Sequence, residues 1–206
     1  VLNAPTGACA RWLSLRGPTG TLTVGRGSGL VAVVQAAALL AERDDADLMV
    51  AAGLDECLLP EQHARLATLG RSVTGAPLST PDPATAGDAE GAACLVLTAD
   101  DHPGVALAGW GLAGPNQLDL AVTRARDRAG LPPEAALPRY GVRRHGAQDD
   151  TRRAPDLGYA PAAASTFATL LAVLDLRRGA EEHALVVSDE GQAVTTALVL
   201  TRQDAP

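Results

Sequence analysis

Two stretches of the chain, 27–56 and 160–191, read alike, and this internal likeness constrains the fold more than any other feature. Each opens on small residues and continues as a helix-length run of mostly Ala, Leu and Val, Leu30 to Leu40 and Phe167 to Leu176. Each breaks at charges, Glu42 to Asp45 and Arg177 to Glu182. A short apolar stretch follows, Leu48 to Ala52 and Ala184 to Val187, then acidic residues, the pattern of a buried strand in a helix-covered sheet. A second strand comes later in each half, in nearly the same words: Ala93-Cys94-Leu95-Val96-Leu97-Thr98 and Thr196-Ala197-Leu198-Val199-Leu200-Thr201. Both helices are apolar nearly all round, so each is expected between layers of sheet.

The order helix, strand, strand therefore occurs twice, and a layered α/β sandwich follows. The length of 206 residues suits a single domain, 1–206, with halves at roughly 1–115 and 116–206. Between the repeats, Asp119 to Ala129 reads as an Arg-rich amphipathic surface helix stopped by Gly130 and Pro132-Pro133. Residues 75–87 and 146–155 read as loops.

Composition removes several functions. Aromatic residues make up 2% of the chain, the net charge is −7 and no lysine is present, so neither base stacking nor a basic stripe is available for nucleic acid. Cys9, Cys57 and Cys94 are an odd count without metal or CxxC spacing, as in reduced thiols of a cytoplasmic protein. The longest apolar run, Leu30 to Ala41, is interrupted by Gln35 and too short to span a bilayer, so no membrane attachment is expected. Asp44-Asp45 and Asp149-Asp150 lack a third ligand, and no metal or cofactor is expected. Gly25, Gly27 and Gly29 miss the dinucleotide spacing and read as a tight elbow.

Five segments resemble the β-ketoacyl synthases, of thiolase fold. Leu15-Arg16-Gly17-Pro18-Thr19 with Thr21-Leu22-Thr23-Val24-Gly25 is similar to that family's approach to its nucleophile elbow, and Gly27-Ser28-Gly29 to the residues after it. Ala89-Glu90-Gly91-Ala92-Ala93 loosely matches a glycine-rich run before a strand. Ala125 to Gly130, with Tyr140 and Val142, resembles the approach to the first histidine motif, here His145-Gly146. Gly158-Tyr159-Ala160-Pro161-Ala162-Ala163-Ala164-Ser165 is similar to the second. The resemblance implies a thiolase-like α-β-α-β-α sandwich of two pseudo-repeated halves, shortened to about half the usual length.

It also implies a chemistry these residues do not supply. Condensation in this family uses a cysteine thiolate at a helix N-terminus, assisted by two histidines. The nucleophile position, by resemblance, holds Arg26, whose guanidinium stays protonated and cannot attack a thioester. Tyr159 stands at the second histidine and Ala154 at the family's lysine, leaving His145 alone. No catalytic residue is expected. Arg26 either reaches solvent or a nearby acid, or fills the pocket and pairs with Asp55, Glu56 or a partner chain. Cys9, Cys57 and Cys94 read as packing residues, with Cys94 in a buried strand. Arg143, Arg144, Arg152 and Arg153 read as a solvated loop, with an acidic carrier protein or a phosphopantetheine phosphate as the alternative ligand.

Ketosynthase-like chains without the cysteine resemble chain-length factors of type II polyketide systems, which pair with an active ketosynthase. The resemblance implies a heterodimer with a catalytic ketosynthase subunit and indirect contact with acyl-carrier protein. Thr21, Leu22, Thr23, Val24 and Gly25 would form a strand at the dimer interface, and Pro5, Thr6 and Trp12 would lie near an acyl tunnel. Two alternatives stay open: a self-contained acyl-transfer enzyme using His145 and Tyr159, and a homodimeric module that binds an acyl chain or carrier protein.

Overall fold

The computed structural model describes residues 4–25, 27–55, 91–99, 103–141, 151–153, 161–188 and 194–203. Its elements in chain order are α1 (Ala4–Trp12), α2 (Ser28–Glu42), β1 (Leu48–Asp55), β2 (Gly91–Thr98), β3 (Gly104–Ala113), α3 (Leu118–Ala129), β4 (Arg139–Gly141), β5 (Thr151–Arg153), α4 (Pro161–Arg177), β6 (His183–Ser188) and β7 (Thr195–Gln203). The expected repeat is present as α2-β1-β2 and α4-β6-β7, each helix and strand a few residues longer than the apolar words alone.

The repeat is registered residue by residue. β1 and β2 pair antiparallel with Val50 opposite Val96, and β6 and β7 pair antiparallel with Leu185 opposite Val199. β1 and β2 form a two-stranded sheet, whereas the second sheet has five strands in the order β3-β7-β6-β4-β5. The chain passes from the first sheet to the second between Thr98 and Gly104. β4 runs parallel to both β5 and β6. β3, which the sequence words did not announce, pairs antiparallel with β7 and carries a bulge at Ala108, where the register slips between Leu107 and Gly109.

α2 and α4 lie between the two sheets, as their all-round apolar character requires. Leu30, Val33 and Val34 of α2 and Ala168, Ala172 and Leu176 of α4 share one core with Ala51, Val186, Leu198 and Leu200. Tyr140 is buried there too, its hydroxyl donating to Asp175 Oδ2 at 2.9 Å. α3 covers the outer face of the five-stranded sheet through Ala121 and Ala125, against Ala197, Val199, Leu185 and Val187. Gly109 and Gly111 on β3 permit this approach, because a Cβ at either would overlap a backbone carbonyl of α3. α3 ends as its sequence directs: Gly130 takes the left-handed conformation (φ +66°), and Arg126 and Arg128 occupy the last turn. Of the α-β-α-β-α order, the described residues build the β-α-β-α part.

Within the described chain Thr21 to Gly25 joins neither sheet; its expected pairing is with a second chain. The expectations for two cysteines are corrected. Cys94 is exposed on the outer face of β2 rather than buried, and Cys9 is exposed on α1, so neither thiol is a packing residue. Among the described residues no helix is long and apolar enough to cross a membrane.

Candidate functional site

The two repeats meet where α2 and α4 begin. Gly25 adopts φ +85°, a conformation that favours glycine, and turns the chain into α2. Ser28 fixes the turn: its Oγ donates to the Gly25 carbonyl at 2.5 Å and accepts from the Val24 amide at 3.0 Å. The N-cap Gly27 brings no side chain to the first turn of α2, where the Ser28 amide donates to the Gly25 carbonyl at 3.1 Å. A Cβ there would stand 3.0 Å from Ser188 Oγ, which places the elbow against the end of β6.

α4 reaches the same point. A Cβ at Gly29 would meet the Ala162 carbonyl at 2.5 Å, and one at Gly53 would meet it at 2.6 Å, so the first turn of α4 is wedged against both α2 and β1. The Leu30 amide donates to Ser165 Oγ at 3.2 Å, tying the two helices directly. Asp55, at the end of β1, accepts from the Ala163 amide at 2.6 Å and so caps a helix more than a hundred residues away in sequence. Burial pushes the Asp55 carboxyl above its ordinary range, while the amides of Ala163 and Ala162 pull the other way. Thr166 Oγ1, buried between Gly29 and Gly53, has no hydrogen-bond partner among the described residues.

The first turns of two helices thus converge on one elbow, with the Ala163 amide of α4 held by Asp55 and the Leu30 amide of α2 held by Ser165. Arg26, His145, Ala154 and Tyr159 lie outside the described residues, as do Glu56, Cys57, Arg143 and Arg144. In sequence, Arg26 immediately precedes the Gly27 cap, and Tyr159 falls just before Pro161, where α4 opens. Cys9 and Cys94 are both on elements away from the elbow, one on α1 and one on β2. Asp45 is engaged by Arg43 at 2.7 Å on the surface.

The remaining predicted residues form an arm ahead of the elbow. Thr6 Oγ1 lies 2.9 Å from Thr21 Oγ1, which brings the tunnel candidates on α1 beside the interface candidates. Pro5 is exposed, and Trp12 is 91% exposed. No residue of α1 is buried. The cap by Asp55 was missed from sequence, where an acid after a strand signals only that the strand ends.

Residues 2–102, which include this arm, the elbow, α2, β1 and β2, match the sequence pattern of the family described as Beta-ketoacyl synthase, N-terminal domain. Among solved structures, the ishigamide ketosynthase/chain length factor is 23% identical, covering 99% of this chain and 62% of its own, with a TM-score of 0.72. A ketosynthase in complex with its chain length factor from Xenorhabdus doucetiae is 18% identical over 98% of this chain and 64% of its own, at a TM-score of 0.76. The oxazolomycin ketosynthase domain from Streptomyces albus JA3453 is 14% identical over 100% and 51%, at 0.81. The fold is the thiolase-like fold of the ketosynthases. No curated protein matches the sequence. This ketosynthase-fold chain spans between 51% and 64% of the length of those three structures. The elbow that opens α2 belongs to the segment that the family pattern matches.

Proposed function

We propose that this chain is a non-catalytic, chain-length-factor-like partner of an active ketosynthase in polyketide or related acyl-chain assembly, completing a heterodimer and its acyl tunnel. The observation that carries the reading is the elbow. α2 opens on Gly27-Ser28-Gly29 with no side-chain cap, and the residue before it in sequence is Arg26, a cation that cannot serve as a nucleophile. Two of the ketosynthase-fold structures similar to this chain contain a ketosynthase together with a chain length factor.

The arm supports pairing. A nine-residue helix without a buried residue is too short to persist in water unaided. α1 is followed by the exposed Leu13 and by the unpaired Thr21 to Gly25. A partner surface over Trp12, Leu13 and this segment would supply both the packing and the strand pairing they lack. In this reading Pro5, Thr6 and Trp12 face the tunnel side of the interface, and acyl-carrier protein is met through the catalytic subunit.

Co-expression with a ketosynthase encoded beside it, followed by size-exclusion chromatography, tests the pairing. Co-elution as a one-to-one complex supports the reading. A chain that stays monodisperse alone and leaves the ketosynthase uncomplexed contradicts it.

A further inference from the structure

α3 runs antiparallel to β3 in a matched step. Gly111 lies against Ala121 and Gly109 against Ala125, two residues of strand for four of helix. Two strand residues rise about 6.8 Å and four helix residues about 6 Å, so the match holds along the contact. A second row keeps the same step beside the first. Arg124 donates to the Leu112 carbonyl, and Arg128 donates to the Trp110 carbonyl at 2.7 Å. Arg128 is also held from the side, its guanidinium carbon 4.9 Å from the centroid of the Trp110 ring.

β3 pairs with β7 along one side and ends the five-stranded sheet among the described residues. In an antiparallel ladder the amide and carbonyl of one residue point the same way, so alternate residues face the neighbouring strand or the free edge. The arginines take the carbonyls of two alternate residues, Trp110 and Leu112. A strand laid along the free edge, from this chain or from another, would need such carbonyls as its acceptors. The arginine bonds lie wholly within β3 and α3, so they do not depend on how the rest of the chain is arranged.

We propose that Trp110 and Leu112 face the free edge of β3 and that Arg124 and Arg128 keep this edge closed, so that β3 of a second copy does not extend the sheet. A second copy is the occupant kept out because two β3 strands related by a two-fold axis would pair antiparallel, the sense in which β3 already pairs with β7. Closure acts in two ways. The guanidinium groups occupy the acceptors that a ladder needs, and a contact between two β3 edges would bring four of these groups together, like charges across a strand pair. The edge is separate from the α1 arm, and its closure does not depend on the ketosynthase-partner reading.

Arg124→Ala combined with Arg128→Ala opens both carbonyls with a residue that favours the helix. Sedimentation velocity over a concentration series, paired with amide hydrogen exchange, reads the effect. The double variant gains a concentration-dependent species of twice the parent's mass, and as it forms the Trp110 and Leu112 amides exchange about tenfold more slowly. Should the double variant fail to fold, either single variant carries the same test, Arg124→Ala opening the Leu112 carbonyl and Arg128→Ala that of Trp110. Variants that keep the parent's mass at every concentration overturn the proposal. So does association that leaves the Trp110 and Leu112 amides exchanging as in the parent, because another surface would then be responsible.

Discussion

Replacing Gly111 with alanine tests the packing of α3 on the five-stranded sheet, which rests on the absence of a side chain there. The added Cβ would lie 2.8 Å from the Ala121 carbonyl carbon and 2.9 Å from Arg124 Cβ. Carbon contacts settle near 3.5–4.0 Å, so α3 must retreat by about 1 Å at this point. Overpacking of this kind costs about 1–3 kcal/mol. The retreat also weakens the bonds from Arg124 to Leu112 and from Arg128 to Trp110, each contributing at most about 1 kcal/mol. Lower entropy of the unfolded alanine chain offsets about 0.4–1 kcal/mol. The net loss is about 2 kcal/mol, which lowers Tm by roughly 4–8 °C for a chain of this size. Thermal melts followed by circular dichroism measure it, with Gly7→Ala as the control. Gly7 has nothing within 4 Å of its would-be Cβ and lies within α1, so alanine there leaves Tm unchanged or raises it slightly. A Gly111→Ala chain that melts with the parent would refute the close approach of α3 to β3.

Asp55→Asn should change how stability depends on pH. Burial raises the folded carboxyl above 3.8, so between 3.8 and that raised value the folded chain binds more protons than the unfolded one, and parental stability falls as pH rises. The asparagine still accepts from the Ala163 amide but has no such slope; urea melts at stepped pH should show the variant gaining on the parent across that window, and parallel curves would contradict the cap's burial. Tyr140→Phe should cost about 1 kcal/mol in urea denaturation, through the lost bond to Asp175, with little change in m-value. Trp12→Ala should leave the melt of the isolated chain within about 0.5 kcal/mol of the parent, because the ring is already in solvent. The same substitution should weaken a ketosynthase complex by about 2 kcal/mol, read as the Kd by calorimetry.

The parts of this fold that sequence made legible are those with a strong local period. The words around Leu95 and Leu198 announced β2 and β7, and the apolar runs announced α2 and α4 together with their place between sheets. Gly130 stopped α3 at the residue its left-handed conformation requires. β3 escaped because its alternation sets glycines, Gly109 and Gly111, against α3 where apolar side chains would have drawn notice. Within the described residues Thr21 to Gly25 joins neither sheet; its expected strand pairing is with a second chain, a property of a neighbour. Cys94 looked buried because its word is as apolar as the one around Ala197; coverage of a face by another element leaves no local trace. At the site, the glycine elbow was readable from spacing. The cap of α4 by Asp55 was not, since it joins residues 108 apart in sequence.

The most direct test of the proposed role is an acyl-elongation assay with purified ketosynthase and loaded acyl-carrier protein, run with this chain, without it, and with this chain alone. Elongation only when ketosynthase and this chain are both present, and unchanged by His145→Ala in this chain, is the predicted result. Condensation by this chain alone, lost on changing His145 or Tyr159, would contradict the account and make the chain an enzyme in its own right.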